Sequence, residues 1–573
     1  MQPVDFTTLT AAWVELRQEW VPARLEQVYQ RDRHTVLLGL RTFDRRGWLG
    51  LSWHPQAARF CLSNPPPRTP DTFTFSEQLR HQLNGLALVA IEPIAPWERV
   101  LDLHFARRPN DPPVWHLYVE IMGKYSNVVL VNAENVVITA AHQVSSQQSS
   151  LRPIQTGQPY EFPPRLTDAT PSLDESFQQW QDRLTLIPVP LRRSLLGIYR
   201  GLSSGLVNSM AEAAALDPNQ PTDQLTIEAW QRLWECWRQW LTQLDKGDFR
   251  PGWRSEGYTV LGWGSTEPVE TVQRLLDRYY TDQLNQQEFS QLHHQLSQKL
   301  SNLLKKLSVK ATDFRQRLQQ SAGADRYREH ADLLMAYSHE WQPGMKQITL
   351  TEFATGAPVT ISLDPEKTAV QMAQAFYKRH QKLRRSRAAI EPLLAEVQAE
   401  IDYLEQTEVA LIEVDRYHTS EDLKSLNEIR EELIQQGYLD DSTHRQKSGS
   451  TEPPQFIQYK TPSGFDVLVG RNNRQNDYLT FRLAGDYDLW FHTQEIPGSH
   501  LLLRLPPGAV PEDADLQFTA DRAAYHSRAR QSDRVPVVYT QPQHVYKPKG
   551  AKPGIAIYKQ ERILWGKPAP HAT

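Results

Sequence analysis

Gly464-Phe465-Asp466-Val467-Leu468-Val469-Gly470-Arg471-Asn472-Asn473-Arg474-Gln475-Asn476-Asp477 begins as a short apolar strand, ends it at a glycine, and opens into a loop dense in amide and guanidinium donors. A second apolar and aromatic run, Asp488-Leu489-Trp490-Phe491-His492-Thr493, leads into a turn at Ile496-Pro497-Gly498-Ser499-His500. Arg and Asn carry planar donor arrays that match phosphate oxygens and base edges. Further on, Tyr546-Lys547-Pro548-Lys549-Gly550-Ala551-Lys552-Pro553-Gly554 adds cations on a segment that Pro and Gly keep out of helix and central strand. These stretches read as one polar, basic surface for a nucleic acid. Arg471, Asn472, Asn473, Arg474, Lys547, Lys549 and Lys552 are its candidate backbone contacts, and His492 and His500, with Phe491, its candidate base contacts. Core packing explains the aromatics equally well. The pattern is not that of an acid–base or metal centre, and no cofactor is expected.

The rest of the chain bounds that reading. At 573 residues it is long enough for three or four domains, and its formal net charge of −4 means any nucleic-acid contact comes from local basic faces. Two cysteines, Cys61 and Cys236, build neither a disulfide framework nor a four-ligand zinc site, and read as core residues of a reducing compartment. No apolar run reaches the roughly 18 residues of a membrane span, and the first residues lack a secretory pattern. A cytoplasmic protein with no membrane partner is expected.

Periodicity predicts an α+β multidomain chain. Residues 1–170 open with a helix over Thr7–Trp20, which Pro22 ends, and continue as strands at Val36–Leu40, Trp48–Trp53, Val114–Ile121, Asn127–Val131 and Val136–Ala140. Residues 171–265 are helical; Gly197, Gly201 and Gly205 suggest a helix-hairpin-helix whose turn offers backbone N–H groups to phosphate, or simply a tight packing turn. Residues 266–440 carry heptad-like seams at Phe289, Leu296, Leu300, Leu303 and Leu307, and again at Ile390, Leu394, Val397, Ile401 and Leu404. A small insert with a hairpin at Met345–Leu363 separates them. An antiparallel intramolecular coiled coil on the order of 50 Å long is the economical solution; an intermolecular coil is the alternative. A polar linker at 441–454 precedes a β-rich domain at 455–573 with one helix near Asp515–Arg530.

These strings together resemble the NFACT family over nearly the whole chain. At the C-terminus the resemblance rests on Leu468–Asp477, Asp488–His492, Ile496–His500, Ala523-Ala524, Ser527–Arg530 and Lys547–Ala551. At the N-terminus it rests on Asp5, Arg24, Tyr29-Gln30, Leu79-Arg80 and Met122–Asn127. It implies a glycosylase-like N-terminal α/β domain, a helix-hairpin-helix domain, coiled-coil arms and a C-terminal NFACT-R RNA-binding domain. The function it implies is ribosome-associated quality control. Such a factor binds an obstructed large ribosomal subunit carrying peptidyl-tRNA and recruits alanyl-tRNA for template-free C-terminal alanine tailing, which marks the stalled chain for degradation. A small RqcP-type S4-domain RNA-binding protein cooperates. The factor is not itself an enzyme; it positions tRNA for transfer on ribosomal RNA.

In the family an early Asp and an Asp-Arg pair are linked to tRNA engagement. Here the early residue is Asp5, but the pair reads Glu98-Arg99, so the carboxylate sits one methylene further out. A surface ion pair worth under about 1 kcal/mol is the bland alternative. Two other functions compete with this one. A base-excision enzyme on the glycosylase-like fold would need a terminal Pro amine, and Pro3 follows Met1-Gln2. A fibronectin-binding surface adhesin would need an export signal and an anchor.

Overall fold

The computed structural model describes residues 1–145, 147–149, 152–164, 168–440 and 454–568. The linker expected at 441–454 lies, apart from Pro454, outside the described residues. The chain divides into two compact units, Met1–Leu284 and Asn285–Thr573.

The first unit opens with α1 (Phe6–Trp20), started by Asp5, whose side chain accepts from the Thr8 N–H. Nine strands follow: β1 (Ala23–Asp32), β2 (Thr35–Arg41), β3 (Arg46–Ser52), β4 (Arg59–Ser63), then, after α2 (Thr74–Leu83), β5 (Ala87–Pro93), β6 (Val100–Ala106), β7 (Trp115–Glu120), β8 (Asn127–Asn132) and β9 (Val137–Ala140). They form one sheet in the order β4-β3-β2-β1-β5-β6-β7-β8-β9, antiparallel at every pairing. Strand β2 is buried along nearly its whole length, so both faces of the sheet are covered there.

The helices α3 (Phe177–Thr185), α4 (Leu191–Ile198), α5 (Ser204–Ala213) and α6 (Ile227–Lys246) follow in this unit, and after them a small three-stranded sheet of Gly252–Trp253, Tyr258–Thr259 and Glu267–Pro268. Of the four tryptophans of α6, Trp230, Trp237 and Trp240 form one buried stripe at helical spacing, and Trp234 is half-buried beside it. Trp180 of α3 packs against Trp230, Trp234 and Trp237. Most of the tryptophan richness of this region is therefore core. Both cysteines are buried and free, as their sequence context suggested.

A long helix, α7 (Val272–Ser321), carries the division between the units. In the second unit α8 (Ala324–Ala336) and the hairpin Gln347–Thr351/Pro358–Ser362 form the small insert with a core of its own. The chain then returns in α9 (Ala369–Glu413). Leu296 and Leu300 pack with Tyr403, Leu404 and Leu411, and Ala311 with Val397 and Ile401, so the two helices run antiparallel. The apolar seam does not continue straight into the next segment. The chain turns after Glu413, and α10 (Ser420–Gln435) folds back to add Leu426, Ile429 and Leu433 to the same core.

The C-terminal part holds a six-stranded sheet, with the strand Asp466–Val469 beside Leu501–Leu503 and Leu489–Thr493 beside Val535–Thr540. One expectation is corrected here. The donor-rich segment after Gly470 is not an open loop but α11 (Asn473–Tyr478), continued by a π-helical turn at Leu479–Leu483. Asn472 caps it by accepting from the Gln475 N–H at 2.9 Å. The expected C-terminal helix is α12 (Asp513–Tyr525). Among the described residues no helix is long and apolar enough to cross a membrane.

Candidate nucleic-acid interface

In the first unit the expected residues Asp5 and Glu98 converge with the glycine-bearing hairpin between α4 and α5. Asp5 uses both carboxylate oxygens: one caps α1, and the other accepts from the Ser203 hydroxyl at 2.6 Å. Ser203 in turn caps α5 through the Leu206 N–H. One carboxylate thus ties together the starts of two helices 198 residues apart.

Between α4 and α5 the turn passes through Gly201 at φ +80°, a conformation that favours glycine. A Cβ there would lie 2.5 Å from the Trp97 ring, so the turn fits only without one. Trp97 itself adopts φ +67° and packs on Phe6 and Trp240. Its neighbour Glu98 follows directly. Gly197 and Gly205, by contrast, are exposed and have ordinary helical conformations, so only the middle glycine of the three is demanded by the turn.

Glu98 meets Arg200 of the hairpin at 3.8 Å, a charge contact too long for a hydrogen bond, and Glu98 Oε1 is buried with no hydrogen-bond donor. Arg99 is half-buried, and its backbone carbonyl accepts from the Ile121 N–H. Among the described residues no hydrogen bond or ion pair engages its guanidinium. Asp5 and Glu98 are thus both tied to the hairpin, and Arg99, next to Glu98 in the chain, has no counter-charge among the described residues. The partners Arg200 and Ser203 were missed from sequence because they lie far away in the chain. The local hints were the glycine-bearing turn around them and Ser203 preceding a helix, an N-cap signal.

The second candidate surface is arranged differently from the expectation. Arg471 pairs with Asp422 at 3.1 Å, Asn472 donates to Glu428 at 2.6 Å, and Arg474 pairs with Glu431 at 3.3 Å. Asn473 is buried and donates to Thr407 at 3.1 Å and to Glu432 at 2.9 Å. All of these acceptors lie on α9 and α10 or just at their start. The Pro-Gly-Ser-His turn faces the same helices: the Gly498 N–H donates to Gln406 at 3.1 Å, and Ser499 reaches Glu413. Arg528 pairs with Glu405 at 2.7 Å and His526 with Glu413 at 3.0 Å. The strings that carry the family resemblance thus form the joint between the β-domain and the helices. The glutamates Glu428, Glu431 and Glu432 of α10 are the only local hint of that joint in the sequence.

His492 and His500 lie inside the domain. His492 contacts the Gly498 carbonyl at 3.2 Å, and His500 shares a hydrogen bond with Thr480 at 2.7 Å. Burial pushes the His492 imidazole down to about 4 and that of His500 well below its ordinary value, so both are neutral at pH 7. Phe491 is fully buried and stacks on Tyr539. Lys547 pairs with Asp477, and Lys552 sits over the Tyr403 and Tyr438 rings and donates to the Tyr438 hydroxyl. Burial lowers the Lys552 ammonium from its ordinary value. Lys549 alone of the expected cations is exposed with its charge directed to no described partner. Tyr546, three residues before it in the chain, and Trp565, on the strand Arg562–Gly566, are exposed aromatics of the same domain, and Lys559 lies over the Tyr546 ring.

A multidomain α+β chain with long antiparallel helices and a C-terminal β-rich domain is the class that this arrangement defines. Residues 5–452 match the NFACT N-terminal and middle domains, and residues 455–559 match the NFACT protein RNA-binding domain. The chain belongs to the NFACT family. It is 29% identical over 561 residues to the Rqc2 homolog RqcH of Bacillus subtilis, covering 97% of this chain and 96% of that one. It is 30% identical over 563 residues to the Rqc2 homolog RqcH of Streptococcus suis, covering 96% and 95%. Among solved structures, the C-terminal part of the fibronectin/fibrinogen-binding protein from Streptococcus suis is 29% identical, covering 49% of this chain and 96% of that chain, with a TM-score of 0.37.

Proposed function

We propose that this protein is a ribosome-associated quality control factor. It binds obstructed large ribosomal subunits that carry peptidyl-tRNA and recruits alanyl-tRNA for template-free alanine tailing of the stalled chain, with an RqcP-type S4-domain protein as partner in the cytoplasm. Family membership and the near full-length match to Rqc2 homologs support the quality control role. The observation that supports the tRNA part is Arg99, next in the chain to Glu98, which itself meets the α4–α5 hairpin; among the described residues nothing pairs with the Arg99 guanidinium. Such a cation is suited to a bidentate grip on phosphate or on a base edge.

In this reading residues 1–170 and the helix-hairpin-helix at 171–265 hold tRNA. The antiparallel helices within 266–440, read as a coiled-coil arm, brace the subunit. Residues 455–573 contact RNA through what the joint leaves outside, among it the exposed cation Lys549 and the exposed aromatics Tyr546 and Trp565, residue types suited to single-stranded RNA. Arg471, Asn472, Asn473 and Arg474 act there by holding the domain on the helices, and a direct RNA contact by any of them requires that joint to open. The protein supplies orientation rather than a reactive group; peptide transfer takes place on ribosomal RNA, where holding the two substrates in register lowers the barrier.

The test is a non-stop reporter in cells that carry Glu98→Ala together with Arg99→Ala. Loss of alanine tails with normal protein levels is the expected outcome. Tails of normal length would show that this pair only shapes the fold.

A further inference from the structure

On the sheet of the first unit, β6 and β7 bring together a side-chain cluster that the tRNA reading does not use. Asp102 and His104 are two residues apart on β6 and so share a face; across the ladder His104 is paired with His116, and Asp102 with Tyr118. His104 Nε2 and His116 Nδ1 each lie 2.9 Å from the same carboxylate oxygen of Asp102, and the three ligand atoms are all within 4.8 Å of one another. We propose that Asp102, His104 and His116 bind a divalent late transition-metal ion, zinc above all, with a fourth coordination position open to solvent.

Three observations carry this. First, two imidazole nitrogens and a carboxylate oxygen converge from two strands on one small volume. Zinc bonds of about 2.0–2.1 Å place tetrahedral ligands roughly 3.3 Å apart, so side-chain shifts of about an ångström close the set. Second, hydrogen bonding alone does not satisfy the cluster. Asp102 is 9% exposed, and among the described residues its other oxygen, Oδ1, is buried without a well-formed hydrogen bond, the Tyr118 hydroxyl being the polar group directed at the same carboxylate. A buried polar atom of that kind calls for an occupant. A bound cation would compensate the charge of the whole carboxylate.

Third, the site has a built wall and an entry. Tyr118 stacks on Tyr160 with ring centroids 4.2 Å apart, and His116 lies against Tyr118, which holds its ring plane. His104 and His116 keep about a fifth of their side-chain surface exposed, enough for an ion to enter and for one water or ligand atom to remain. Glu92 of β5, paired with Asp102 and exposed, adds negative charge at the mouth. Two nitrogens and one oxygen suit zinc and its late first-row neighbours. Magnesium and calcium, which take oxygen shells, are poorly matched.

The test uses the full-length, untagged, metal-stripped chain titrated with zinc against a chromophoric chelator. One equivalent should be withheld from the chelator, and His104→Gln and His116→Gln should each weaken that binding at least tenfold, while an exposed-histidine control, His339→Gln, leaves it unchanged. Cobalt in the wild-type protein needs no variant: an intense visible band of low-coordinate nitrogen–oxygen ligation is expected, without thiolate charge transfer. No zinc withheld by the wild type, equal affinity in the two variants, or a weak octahedral cobalt spectrum would overturn the proposal.

Discussion

Asp5 has two carboxylate oxygens and both are engaged, one by the start of α1 and one by Ser203 at the start of α5. Asp5→Ala removes an N-cap and a second hydrogen bond at once. It should destabilise the N-terminal unit by about 2–3 kcal/mol, read as a lower urea midpoint by tryptophan fluorescence. Asp5→Asn keeps an acceptor at the cap and should recover part of that loss. Any tRNA defect of the alanine variant therefore contains a folding component, which the asparagine variant separates. His492 and His500 make a pH prediction. Unfolded, each takes up a proton near pH 6.5. Folded, His492 does so only near 4 and His500 lower still. Between these values the unfolded chain binds more protons. Stability is thus fully present above about pH 6.5 and is lost as the pH falls toward 4. Chemical denaturation from pH 7 to pH 4.5 should show that decline, and His492→Gln should flatten it. At this scale the sequence named Asp5, Glu98 and Arg99 through the family resemblance. It could not name Arg200 or Ser203, because proximity across some hundred residues or more is a tertiary fact with no local pattern.

Elements follow the same division. The helices α7 and α9 were legible because a seam of Leu, Ile and Val at heptad-like spacing has one economical burial. The sheet of the first unit was partly legible for the matching reason at period two. The short helix α11 was not: Asn473-Arg474-Gln475-Asn476-Asp477 has no apolar periodicity, and its conformation is fixed by the Asn472 cap and by bonds to α9 and α10. Propensity favours a loop there, and tertiary contacts override it. The consequence is testable. Asn473→Ala leaves the buried Glu432 without its Asn473 donor, and burial already raises the Glu432 carboxyl above its ordinary value. Stability of the second unit should drop by about 2–4 kcal/mol in urea titrations. In the first unit, Gly201→Ala must place a Cβ against Trp97 at a left-handed φ. It should destabilise the hairpin by about 2 kcal/mol or more and weaken tRNA binding with it. A stable Gly201→Ala variant with normal tRNA binding would show that the turn has another way to close.

At the scale of the whole molecule a mildly acidic chain is proposed to hold RNA, so its affinity depends on a few placed cations and not on overall charge. Composition alone could exclude a polycationic, non-specific binder but could not identify the surface. The C-terminal signature led to the family correctly, while the structure assigns much of that signature to an internal joint. The claim at the centre of this account is that the protein sits on a large ribosomal subunit with a tRNA. It is tested most directly by recovering the protein from gently lysed cells and sequencing the RNA bound to it. Large-subunit ribosomal RNA and alanine tRNA should be enriched and small-subunit RNA depleted, with the tRNA lost in the Glu98→Ala/Arg99→Ala variant. Equal recovery of both subunits' RNA, or no enrichment of any tRNA, would contradict it.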